Sequence, residues 1–88
     1  MIALEDCMAM CGLTPEEIDA IAEHEHIPEL AAAALGDYLL HLEKGPHVIY
    51  GMLKDDIRHA IAEGEAAHAR QLVAALGHFL KEHPGAAL

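Results

Sequence analysis

The chain has 88 residues, a formal charge of -10 and 53% hydrophobic residues, 17 of them alanine. One domain spanning 1–88 is the expectation, near the lower size limit for a self-sufficient core, so a homodimer is expected too. Five basic residues among 15 acids repel phosphate backbones and anionic lipids, and no apolar run nears the ~18 residues of a membrane span, which argues against nucleic-acid and membrane partners.

Residues 2–11 carry a helical pattern that places Leu4, Cys7, Met8 and Cys11 on one face, closed by Gly12. The acidic start predicts a chain that stays in the cytoplasm, where the two thiols remain reduced and pack as small hydrophobes, the alternative being a two-thiolate metal or redox site with partners from elsewhere. Thr14-Pro15-Glu16-Glu17 predicts a capped helix start: Thr14 caps, Pro15 fits the first turn, and Glu17 completes a capping box. Ile18, Ile21 and Ala22 form its apolar stripe, and Pro28 ends or kinks it near Ile27.

A third helix is predicted from Pro28 to about Glu43, burying Leu30, Leu35, Tyr38, Leu39 and Leu42, with Gly36 marking the close approach of a neighbour. Lys44-Gly45-Pro46 reads as a turn. A fourth helix runs from about His47 to Glu63 with Ile49, Leu53, Ile57 and Ala60 inward, stopped by Gly64. The last spans about Glu65 to His83, with Ala69, Leu72, Val73, Leu76 and Leu80 inward. Short connections between four or five helices predict an all-α, compact antiparallel bundle.

Eight histidines and 15 carboxylates direct attention to metal chemistry, since imidazole and carboxylate together suit zinc, iron and manganese. Acid-x-x-His recurs as Glu23 to His26, Asp56 to His59 and Glu65 to His68, and at helical spacing each pair shares a face. These six residues are the candidate ligands. Their spacing resembles the Glu-x-x-His motif of ferritin-like dimetal carboxylate bundles, a likeness confined to two or three helices that implies metal ligation without carrying over an oxidase activity. Glu25 and Asp56 fall on apolar stripes, where a carboxylate needs a partner or a cation, the competing reading for Glu25 being that the helix has ended near Pro28 and its side chain reaches water. For Asp56 the competing reading is an ion pair with Arg58, Lys54 or His59. Asp37 with His41 and Glu43 with His47 read as helix-stabilising pairs, and His78 and His83 as residues of a helix C-terminus.

The chain has no serine, one threonine, no phosphate loop, no Cys-x-x-Cys and no His-Glu-x-x-His, and only His59-x-x-x-Glu63 echoes the hemerythrin pattern, so no catalytic residue is assigned. A helix-turn-helix reader is excluded by charge, since its recognition segment would carry Glu29 and Asp37 and no arginine. The stretch from Ala22 to Leu30, with Leu39-Leu40-His41 and Asp55-Asp56-Ile57, resembles small uncharacterised bacterial all-helical proteins, which implies a helical fold and no particular activity. The leading expectation is a small metal-binding helical protein. The rival is a non-catalytic interaction module, with a protein partner or its own copy on its surface and histidines that tune charge near neutrality.

Overall fold

The computed structural model describes residues 12–88, so the helix expected over 2–11, with Cys7 and Cys11, lies outside the described residues. Helix α1 (Pro15–Glu25) starts at the capping box. The Thr14 hydroxyl accepts the Glu17 N–H at 3.2 Å, and Glu17 Oε1 accepts the Thr14 N–H at 2.9 Å. Two of the amide donors that a helix start leaves unpaired are thereby satisfied. The helix ends one turn before the proline with His26 in the left-handed region (φ 57°), where the Ile27 N–H reaches the Ala22 carbonyl at 3.1 Å.

Helix α2 (Glu29–Leu40) stops three residues short of the expected Glu43, and its buried face is the expected one only at Leu39 and, in part, Leu35. Ala32, Ala33, Gly36 and Leu39 face inward, Leu35 is half-buried, and Leu30, Tyr38 and Leu42 are exposed. Size decides this orientation. A Cβ on Gly36 would collide with Leu13 and press on Ile21, so only a face of small residues lets α2 lie this close to the helix before it.

Helix α3 (Gly45–Ala62) takes up two of the three residues read as a turn, with Pro46 tolerated because a first-turn amide has no intrahelical acceptor. Ile49, Leu53 and Ala60 are buried as expected, together with Met52 and Asp56. Gly64 in the left-handed region (φ 75°) turns the chain into α4 (Ala66–Glu82). There Ala69, Leu72, Ala75 and Phe79 are buried, while Val73, expected inside, is exposed. A short 3-10 turn (Pro84–Ala87) returns to α3, where His47 Nδ1 donates to the Ala86 carbonyl at 2.7 Å.

The described residues contain no strand. The product is an all-α bundle in which α1 packs on α2, α3 and α4, and α3 and α4 form the longest shared seam. Ile18, Ile21, Ile49, Leu53 and Phe79, all with no solvent exposure, fill the centre. Helix α2 sits outermost, against α1 and α3. Among the described residues, no helix is long and apolar enough to cross a membrane.

Candidate metal centre

The last turn of α1 faces the middle of α3 across a cleft of about 530 Å³ lined by Glu23, His24, His26, Asp55, Asp56 and His59. Asp56 forms its floor. It lies four residues before Ala60 and three after Leu53 on the core face of α3, and it is only 7% exposed. Its Oδ2 atom is buried without a hydrogen-bond partner. None of the expected ion-pair partners serves it: Arg58 turns to Asp55 at 3.7 Å, and the Lys54 ammonium lies 5.0 Å over the Tyr50 ring. Burial therefore pushes the Asp56 carboxyl up to about 6, with His24 drawing it down and Glu23 and Asp55 adding to the rise.

Across the cleft, His24 Nε2 lies 3.4 Å from Asp55 Oδ2. In the neutral imidazole, the tautomer consistent with that bond carries its proton on Nε2 and has its lone pair on Nδ1. Nδ1 is also buried without a hydrogen-bond partner, its nearest carboxylate being Glu25 Oε2 at 3.5 Å. Among the described residues, these two atoms are the buried side-chain polar atoms left unpaired, and both belong to one cleft. A carboxylate that orients an imidazole through its far nitrogen is the usual second layer of a histidine–metal site.

The six residues singled out by spacing are thereby distributed unequally. Asp56 and His59 share the cleft as residues of one helix, His59 on its exposed rim. Glu23 and His26 also line it, but they do not share a helical face, because the left-handed turn at His26 ends α1 at Glu25. Glu23 instead meets His68 of α4, whose Nε2 stands 2.8 and 3.1 Å from the two carboxylate oxygens. That hydrogen bond raises the His68 pKa above the ordinary histidine value, with burial opposing it and Glu65 assisting from the helix N-cap. Glu25, placed on the stripe by the helical wheel, is exposed, since the helix ends there.

His24 and Asp55 were not legible as a pair, being 31 residues apart on different helices. Glu17 is a further surprise: it is 2% exposed, and its Oε2 accepts from His78 Nδ1 at 3.0 Å while Oε1 closes the cap. The Thr14-x-x-Glu17 spacing signalled the cap and nothing signalled the histidine. Of the two helix pairs, Asp37 and His41 approach at 3.8 Å, whereas His47 is taken by the Ala86 carbonyl.

Among the described residues, no three histidine, cysteine or carboxylate side chains already converge as a ligand set. Comparison with known proteins returns no matching family model, no matching curated protein and no matching solved structure, so the functional reading stands on the geometry of this chain.

Proposed function

We propose that this chain is a small, acidic, cytoplasmic metal-binding protein that acts as a homodimer, taking a divalent transition ion between α1 and α3. The observation that carries the reading is that His24 Nδ1 and Asp56 Oδ2, an imidazole nitrogen and a carboxylate oxygen on residues lining one cleft, are both buried and unpaired. A buried polar atom left without a partner costs roughly 1–3 kcal/mol, and a cation between the two would satisfy both. Asp55 holds the imidazole from behind. His59, Glu23 and His26 at the rim supply further ligands by side-chain rotation, and Glu23 does so by leaving His68. The mixture of imidazole and carboxylate suits zinc, iron(II) or manganese(II).

Zinc added to chelator-treated protein at pH 7.5 should raise the melting temperature, by the equivalent of about 2.7 kcal/mol at a hundredfold excess over its dissociation constant. The effect should shrink at pH 5.5, where protons compete for imidazole. His24→Ala and Asp56→Asn should abolish it, and His41→Ala and His47→Ala should preserve it. An unmoved melting curve with zinc, iron(II) and manganese(II) alike ends the metal reading. The interaction-module reading would then replace it, and the uncovered apolar face of α2 favours that alternative.

A further inference from the structure

Glu23 borders two clefts at once. It lines the α1–α3 cleft proposed above to take the ion, and it also lines a groove of about 600 Å³ between α1 and α4, where Ala20, Leu72 and Ala75 are buried. Among the described residues, two carboxylate–imidazole pairs bridge α1 to α4: Glu17 with His78 near the start of α1, and Glu23 with His68 near its end.

The two bridges differ in freedom. Glu17 is buried and both its oxygens are taken, Oε1 by the Thr14 N–H and Oε2 by His78, so it is fixed in place. The Glu23 and His68 side chains are 41% and 34% exposed, and solvent-exposed pairs of this kind are weak. Both Glu23 oxygens face the one Nε2 atom, at 2.8 and 3.1 Å. The pair is also within electrostatic reach of the floor of the other cleft, since Glu23 pushes the Asp56 carboxyl up and His68 draws it down.

We infer that Glu23 is a shared ligand, held by His68 in the metal-free protein and passed to the ion when the α1–α3 cleft fills, so that metal binding and the Glu23–His68 bridge exclude one another. The inference rests on the metal reading above. Charge sets the direction, because a divalent ion draws a carboxylate more strongly than a histidine of at most one charge does. Geometry makes the exchange exclusive. With both oxygens turned to one nitrogen of α4, a rotation that brings either of them to an ion beside His24 and Asp56 breaks the bridge. Linkage makes it reciprocal: the factor by which His68 weakens metal binding is the factor by which the metal weakens the bridge. Filling one cleft thus releases one of the two bridges across the neighbouring groove and leaves Glu17–His78 as the other.

Zinc affinity measured at pH 7.5 by competition with a chromophoric chelator tests this in wild type, His68→Ala, Glu23→Gln and the double variant. His68→Ala should bind zinc about two- to fivefold more tightly, the range an exposed pair supplies. Glu23→Gln should bind it more weakly, and in that background His68→Ala should change nothing, because the competition runs through one carboxylate. His78→Ala, which breaks the other bridge, should leave zinc affinity unchanged. In nuclear magnetic resonance spectra zinc should move the His68 ring signals of wild type and leave those of Glu23→Gln in place. Equal or weaker zinc binding by His68→Ala overturns the exchange and leaves the metal reading standing, as does a tightening that persists in the Glu23→Gln background. Zinc bound by none of the four proteins overturns the metal reading and the exchange together.

Discussion

Asp56→Asn should make the metal-free protein more stable at neutral pH, although it removes a group proposed to be a ligand. The wild-type carboxyl is pushed up to about 6 from an ordinary 3.8, because it is buried without a partner. Between those two values the folded chain holds a proton that the unfolded chain has lost, so stability falls as pH rises from about 4 to 6 and stays low above it. Raising the carboxyl from 3.8 to about 6 corresponds to roughly 3 kcal/mol at pH 7.5, at 1.36 kcal/mol per tenfold change in proton affinity. An asparagine amide titrates nowhere in this range and regains most of that amount. Its own burial without a partner subtracts some, leaving about 2 kcal/mol, or on the order of 10 °C in a domain this small. Thermal unfolding of chelator-treated wild type and Asp56→Asn at pH 7.5 and pH 4.0 measures the effect. The variant should gain at pH 7.5 and show little difference at pH 4.0, where the wild-type carboxyl is already neutral when folded. An Asp56→Asn variant no more stable than wild type at pH 7.5, or equally stabilised at both pH values, would refute the argument that Asp56 is held at a cost for a ligand.

The Glu23–His68 pair shifts stability in the same direction with pH but as a gain that is lost: its raised histidine pKa stabilises the fold fully below the ordinary histidine value and fades as pH climbs through the elevated one. His68→Ala should therefore cost more at pH 6 than at pH 8.5, within the ~0.2–1 kcal/mol of a solvent-exposed pair, as measured by urea unfolding at both values. His78→Ala removes the partner of Glu17 Oε2, a buried atom, and should cost roughly 1–3 kcal/mol at pH 7 in the same assay. Gly45→Ala would drive a methyl group into the Leu39 carbonyl, which is main chain and cannot rotate away, so loss of the cooperative thermal transition or a cost of about 3 kcal/mol or more is expected.

Local chemistry determined much of this protein from sequence alone. The capping box at Thr14 and Glu17, the proline that stops α1, the left-handed Gly64 and the inward Ile49, Leu53 and Ala60 depend on neighbours within a turn or two, so their spacing carries the information. The anomalous position of Asp56 was legible for the same reason, as a carboxylate on an apolar stripe. The side of α2 that turns inward was decided by tertiary structure. An all-apolar helix has no amphipathic signal to read, and close packing chose the small residues over the large ones that hydrophobicity favours. The pairing of charges was likewise a matter of the fold. Glu23 finds His68 across 45 residues instead of His26 three residues on, because α1 ends at Glu25 and α4 packs beside it. His24 and Asp56 share a cleft because α1 and α3 pack together there, and a contact between helices leaves no periodicity within either one.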